Sequence, residues 1–329
     1  MNQQVSAGII STGSFLPEKV LSNEDLEKMV ETSSEWICSR TGIRERRIAE
    51  KDISASDLAV RAAERALERS GLSADQLDLI IVATITPDMF FPSTACIVQD
   101  RIGARKAAAF DISAACTGFV YGLTIAEQFI KLKTYRYVLV VGVEVLSKIV
   151  DWSDRNTCIL FGDGAGAAIV GPVQPGKGIQ YSHLRADGSG GDLLKVPAGG
   201  SKIPCSRDSL ENGLHFLKMS GKDIFKFAVK VMEDSTRDAM EACALKVTDI
   251  DLLIPHQANL RIIHSGAKRL NLPPEKVWIN IDRFGNISAA SIPVALDEAV
   301  TSGKVREDSL VVLLGFGAGL TWGVNVLRW

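Results

Sequence analysis

The chain lacks the features that would mark a membrane protein, a metal site or a disulfide-stapled fold. Its longest apolar stretches, Tyr137 to Val143 and Leu310 to Leu320, fall short of the ~20 residues that span a bilayer. Six cysteines, at 38, 96, 116, 158, 205 and 243, contain no Cys-x-x-Cys pair. That excludes the common zinc spacings and argues against a disulfide framework in a chain of this size. Net charge is scarce too: 37 Lys and Arg against 39 Asp and Glu leave a formal −2. No global field therefore selects nucleic acid or an anionic membrane, and a charged partner must be read by a local patch. Residues Met1 to Val5 carry neither the basic run nor the apolar core of a secretory signal. The expected location is a reducing cytoplasm, or its stroma-like equivalent in a plastid. With 329 residues, 46% of them hydrophobic, the chain has ample core for one large or two modest domains.

What the sequence does contain is itself, twice. Ser70 to Ile81 (SGLSADQLDLII) aligns with Cys243 to Ile254 (CALKVTDIDLLI), an offset of 173 from Asp78 to Asp251. Each copy follows an amphipathic helical pattern, Ser56 to Ser70 and roughly Lys222 to Ala244, and each enters an apolar strand. Downstream, Tyr137 to Gly142 (YVLVVG) matches Leu310 to Gly315 (LVVLLG), and Gly164-Ala165-Gly166 recurs as Gly317-Ala318-Gly319. Short apolar strands alternating with helices predict two α/β half-domains, residues 1–175 and 176–329, each a sheet covered by helices. A pseudo-twofold between them would bring equivalent strand ends to a shared cleft.

The chemistry concentrates at those ends. An apolar run from Ala107 to Ile112 stops in small residues, and Cys116 follows where Phe119, Val120, Leu123, Ala126, Phe129 and Ile130 begin to recur at helical spacing. A cysteine at a helix start is expected to favour thiolate over thiol; the plainer alternative is a buried, inert cysteine. In the second copy the corresponding stretch is Ile279 to Asn286, which places Asn286 opposite Cys116. His256 ends the strand of Leu252-Leu253-Ile254-Pro255, where open sheets bind ligands. Phe161 to Gly166 has no lysine or following helix to make it a phosphate loop and reads as a tight turn between core strands.

Four motifs in order resemble the β-ketoacyl-acyl carrier protein synthase III family over essentially the whole chain. They are the Cys116 elbow, Ile254 to Arg261 (IPHQANLR), Gly285 to Ser291 (GNISAAS) and Gly315 to Gly323 (GFGAGLTWG). The resemblance implies a duplicated thiolase-like fold, five-layered αβαβα with two mixed-sheet halves related by a pseudo-twofold. It implies a decarboxylative Claisen condensation of a short acyl-CoA, acetyl-CoA by expectation, with malonyl-acyl carrier protein through an acyl-cysteine. In that chemistry Cys116 is the nucleophile, while His256 and Asn286 donate hydrogen bonds to the enolate oxygen formed as carbon dioxide leaves. An oxyanion hole for acyl transfer maps to the backbone N–H groups of Cys116 and Ala318. Glycine is common in the family at the position of Ala318, a mild departure unless the turn there demands a positive φ.

The resemblance also assigns binding groups. Glu31 to Arg46 matches the CoA entry, with Thr32, Trp36 and Arg40 contacting the nucleotide and Arg155 serving its other side; read alone, Trp36 is core and Arg40 a solvated charge. Phe91, in the loop Phe90-Phe91-Pro92, is expected to reach a partner's acyl pocket across a homodimer. Gln257, Arg261, Lys226, Lys268 and Arg269 are expected to meet the acidic carrier protein and its phosphopantetheine. No metal and no resident cofactor are expected, since the CoA thioester and the carrier are substrates; nucleic acid and membrane are not expected partners. The Gly- and Ser-rich Ala198 to Leu217 reads as a flap beside the acyl pocket. The competing readings are starter condensation for secondary metabolites on the same fold, a papain-like cysteine hydrolase, and a non-catalytic dimer or lipid binder.

Overall fold

A computed structural model describes residues 5–329, and its two principal sheets divide the chain in sequence order. The first sheet runs, edge to edge, Ser6–Phe15, Asp163–Val173, Val138–Val145, Leu79–Ala83 and Ala108–Ile112. The second runs Leu252–Pro255, Leu310–Gly317, Thr321–Arg328 and Gly178–Ala186. Both are mixed: Leu79–Ala83 is parallel to its two neighbours and Leu252–Pro255 to Leu310–Gly317, and the remaining pairs are antiparallel. The chain passes from one sheet to the other between Val173 and Gly178.

The central strands are apolar on both faces because both faces are covered. Val138 and Val140 point into one cluster and Leu139, Val141 and Val143 into another. In the second sheet Val311 and Leu313 join the first of these clusters, while Leu310, Val312 and Leu314 pack into a third. The shared cluster holds the helices Gly118–Lys131 and Ser291–Thr301, sandwiched between the sheets. Outside them, the helix Ala55–Ser70 covers the first sheet, and Gly221–Ala242 with Leu260–Leu270 cover the second. The resulting order is helix, sheet, helix, sheet, helix: the five layers expected.

The repeat holds in its helices and central strands and fails at two details. Gly142 pairs with Gly166 and Gly315 with Gly323, so Gly166 is the equivalent of Gly323. The Gly-Ala-Gly echo is therefore coincidental: Gly164 lies inside a strand, whereas Ala318 and Gly319 form the hairpin tip. Second, the fifth strand of the first sheet has no full partner in the second, where a single parallel bridge, Leu253 to Val277, takes its place.

The halves are also tied by a buried carboxylate. Asp297, on the Ser291–Thr301 helix, accepts from Thr12 Oγ1 (2.7 Å) and Ser14 Oγ (2.6 Å) on the first sheet's edge strand and pairs with Arg69 of the outer helix. Removing one member of such a set leaves polar groups buried without partners. Asp297→Ala is expected to cost about 3 kcal/mol of unfolding free energy in urea melts, with the m-value unchanged; a loss below about 1 kcal/mol would show the contact to be dispensable.

Candidate active site

Cys116 lies in a single turn, Ala115–Thr117, between the first sheet and the Gly118–Lys131 helix. Ala115 has φ +45°, a left-handed conformation that costs a side-chain-bearing residue about 1–2 kcal/mol. Ser288, 173 positions later, has the same φ and opens the same kind of turn, Ser288–Ala290, ahead of Ser291–Thr301. The positional equivalent of Cys116 is thus Ala289, and Asn286 comes from the segment just before the second turn.

Two cavities meet at Cys116. The larger, about 320 Å³, is mainly apolar, with Ile85, Leu146, Phe161, Val196 and Leu217 in its wall together with Ser288 and Ala318. The smaller, about 110 Å³, contains His256 and Asn286 with Phe225, Asn259 and Phe316. One sulfur therefore faces an apolar chamber on one side and two hydrogen-bonding side chains on the other. Gly317 makes this possible, because a Cβ there would lie 2.8 Å from Cys116 Cβ and 3.2 Å from its Sγ.

His256 continues the strand by one residue, its N–H donating to Leu314 O at 2.8 Å, and its ring packs edge-on to Phe316. It is buried, and burial pushes its pKa down to about 3, so the ring is a neutral imidazole. Its Nδ1 has no partner among the described residues. Asn286 is fixed twice. Its backbone is bridged to Leu160 and Gly162 (Asn286 N–H to Leu160 O, 2.8 Å; Gly162 N–H to Asn286 O, 3.1 Å), and its Oδ1 accepts from Ser288 N–H at 2.9 Å. With the oxygen engaged, the NH₂ is the end left to donate. Phe161, expected in a turn between core strands, bridges instead to Asn286 and lines both cavities.

The expected thiolate is corrected. Burial pushes the Cys116 thiol up to about 12, and the nearby Glu144 carboxylate adds to the shift, against a lowering contact from the Ser288 hydroxyl. Burial outweighs a helix start here and favours the thiol at rest. Glu144 and Ser288 are the residues that motif reading passed over. Ser288 Oγ donates to Glu144 Oε1 at 3.0 Å, and burial raises the Glu144 carboxyl to about 7. The available signal was an acidic residue inside the otherwise apolar strand Val138–Val145.

The remaining residues separate into groups. Trp36 and Arg40 lie on the helix Ser34–Thr41, with the guanidinium groups of Arg40 and Arg155 5.9 and 4.9 Å from the indole centroid. Arg155 also donates to Glu31 O at 3.0 Å, and Thr32 Oγ1 is buried without a partner among the described residues. This cluster adjoins the smaller cavity, since Asn259 in its wall donates from Nδ2 to Arg40 O at 3.0 Å. Arg261 lies over Phe225, a wall residue of the smaller cavity, and Lys226 and Lys268 are exposed nearby on the two outer helices. Arg269 is held by Glu233 at 3.2 Å. Gln257 is a correction: it is 1% exposed, and its side chain is occupied by Pro255 O, Trp278 O and Asn280 N–H, so it positions the segment that leads toward Asn286 and cannot touch a carrier protein. Phe91 is 84% exposed and does not line this chain's own cavity. Ala318 has no positive φ; that demand falls on Gly319, so alanine is accommodated.

Two outcomes follow from this geometry. Gly317→Ala should displace Cys116 and lower its reaction with iodoacetamide by at least tenfold in a protein of near-native circular dichroism; an unchanged rate would mean that the turn yields freely. His256 has a folded pKa below its unfolded value, so its stabilising neutral state is fully effective above pH 6.5 and is lost as pH falls toward 3. Wild type should therefore lose about 2 kcal/mol between pH 7 and pH 5 that His256→Gln does not lose, measured by denaturant unfolding at both pH values; parallel losses would sink the assignment.

Comparison with known proteins agrees with this site. Residues 110–188 match the family described as 3-oxoacyl-[acyl-carrier-protein (ACP)] synthase III, and residues 240–329 match its C-terminal counterpart. The β-ketoacyl-[acyl-carrier-protein] synthase III of Caldanaerobacter subterraneus subsp. tengcongensis is 57% identical over 100% of this chain and 99% of its own. That of Clostridioides difficile is 56% identical, covering 98% of each. Among solved structures, 3-oxoacyl-[acyl-carrier-protein] synthase III from Aquifex aeolicus superposes with a TM-score of 0.91 at 48% identity, over 98% of this chain and 100% of that one. The priming β-ketosynthase of the R1128 polyketide pathway reaches 0.92 at 36% identity, over 100% and 97%. The duplicated fold, the cysteine between two cavities and full-length identity above one half together place this chain in the β-ketoacyl-acyl carrier protein synthase III family.

Proposed function

We propose that the protein catalyses the initiating condensation of fatty-acid synthesis, joining a short acyl group from acyl-CoA to malonyl-acyl carrier protein with release of CoA and carbon dioxide. The observation that carries this reading is the position of Cys116 at the junction of two unlike cavities. An acyl chain bonded to Cys116 has an apolar chamber to enter, while His256 and Asn286 flank the side from which a second thioester approaches.

In the first half-reaction Cys116 Sγ attacks the acyl carbonyl, the backbone N–H groups of Cys116 and Ala318 receive the oxyanion, and CoA leaves. In the second, malonyl thioester loses carbon dioxide and its thioester oxygen gains charge. Neutral His256 N–H and the Asn286 amide donate to that oxygen in a dry site, where one such donor is worth about 10²–10³ in rate. The resulting carbanion equivalent attacks the acyl-Cys116 carbonyl, and the cysteine is released. Both thioesters are substrates, and the scheme needs no resident cofactor. Trp36, Arg40, Arg155 and Thr32 would receive the CoA nucleotide, and Arg261, Lys226 and Lys268 the acidic carrier. The reading includes a cytoplasmic homodimer: Phe90 and Phe91, 82% and 84% exposed beside Met89, form an apolar loop suited to a second copy. Among the described residues no helix is long and apolar enough to cross a membrane. Likeness to the priming β-ketosynthase keeps starter condensation for secondary metabolites as the second reading; malonyl-CoA replacing the carrier-bound donor at equal rate would favour it.

With acetyl-CoA, an intact-mass adduct should appear on Cys116 and vanish in Cys116→Ala. His256→Ala and Asn286→Ala should keep the adduct and lose carbon dioxide release by about 10²–10³-fold. An adduct on another cysteine, or loss of acylation equal to loss of decarboxylation, would overturn the division of roles.

A further inference from the structure

Ser288 touches both halves of the chemistry. Its N–H fixes the Asn286 carboxamide, and its hydroxyl donates to Glu144 Oε1 beside Cys116, with which it lines the larger cavity. Glu144 is wholly buried near the end of Val138–Val145. It also accepts from Thr86 Oγ1 (2.6 Å), Thr84 Oγ1 (3.3 Å) and Ile85 N–H (3.2 Å), with Ala289 N–H approaching from the second turn. Among the described residues no Lys, Arg or His is paired with it, and Cys116 is the titratable group that faces it. A glutamine would fill the same space and accept the same bonds from Thr86 and Ile85. Burying a carboxylate without a cation is unfavourable, and packing does not require it here.

Acylation demands a destination for the thiol proton. Ser288 shares the wall of the larger cavity with Cys116 and already donates its hydroxyl to Glu144, whereas His256 lines the other cavity and its Nδ1 has no hydrogen-bond partner among the described residues. We propose that Ser288 and Glu144 form a proton relay for Cys116, an inference that rests on Cys116 being the acyl acceptor. As Sγ bonds to the thioester carbonyl carbon, the thiol proton moves to Ser288 Oγ and the hydroxyl proton of Ser288 moves to Glu144 Oε1. When the tetrahedral adduct breaks its bond to the CoA sulfur, that sulfur leaves with the electron pair. It takes a proton from Ser288, and Glu144 returns its own. Acyl-CoA and thiol become acyl-cysteine and free CoA thiol, with the serine hydroxyl and the carboxylate restored. In this relay Ser288 exchanges the proton with the reacting sulfur, and Glu144 acts through Ser288.

The test uses the sign of a charge effect. As a bystander, the Glu144 carboxylate opposes thiolate formation, so Glu144→Gln would speed alkylation of Cys116 by iodoacetamide at pH 7. As the end of the relay, its loss slows alkylation. The expected result is a fall of about 10²-fold in both alkylation and single-turnover acylation by acetyl-CoA in Glu144→Gln and Ser288→Ala. Half-saturating acetyl-CoA should be unchanged, and Glu144→Asp should recover part of the rate. Alkylation in Glu144→Gln as fast as wild type or faster, or Ser288→Ala acylating within threefold of wild type, would overturn the relay. Should Glu144→Gln fail to fold, Ser288→Ala, which removes only a hydroxyl, decides alone. Wild type that alkylates at Cys116 yet takes no acyl group would overturn the acyl-acceptor reading itself, and the alkylation rates would still judge the relay.

Discussion

The site depends on the close approach of two strained turns across the pseudo-twofold. Ala115 and Ser288 share a left-handed φ that neither side chain prefers, and each sends its chain into a helix wedged between the sheets. The turns can meet only where side chains are missing. A Cβ on Gly142 would fall 2.2 Å from Ala289 O, and one on Gly317 would fall on Cys116. Packing from two sheets and two helices holds the strain in place, since an isolated turn would relax.

Duplication supplied two equivalent positions, and the chain uses them unequally. The first turn presents a sulfur; the second presents Ala289 at the matching place and Ser288 one residue earlier. Asn286, His256 and Ser288 all come from the second half, Cys116 and Glu144 from the first. The reactive constellation therefore exists only at the seam, and Asp297, bound to Thr12, Ser14 and Arg69, helps to hold that seam shut. Burial sets the electrostatics: it keeps His256 neutral, raises the Cys116 thiol and lifts Glu144 toward neutrality. A neutral imidazole and an amide suit an oxygen that gains charge during reaction, because they donate without already being paired to an anion.

Much of this is legible in the sequence. The 173-residue offset, the strand ends and the Cys116, His256 and Asn286 motifs depend on local pattern, which short segments carry in full. What misled was pattern without register. Gly-Ala-Gly occurs twice, but strand pairing shows that the copies are not equivalent. Gln257 stands in a motif beside His256, yet its neighbours from Trp278 to Asn280 draw it inward. The helix-start argument for a thiolate weighed a local dipole and could not weigh burial from four layers at once.

The sequence by itself determined the duplication into two α/β halves, the family with the layered fold that its resemblance implies, and the motifs that carry Cys116, His256 and Asn286, because periodicity and motif order survive in one dimension. Only the tertiary structure decided that Cys116 rests as a thiol, that two cavities part at its sulfur, and that Ser288 and Glu144 stand behind it. Those are consequences of desolvation and of contacts between residues more than a hundred positions apart, and neither has any signature in the order of neighbouring residues.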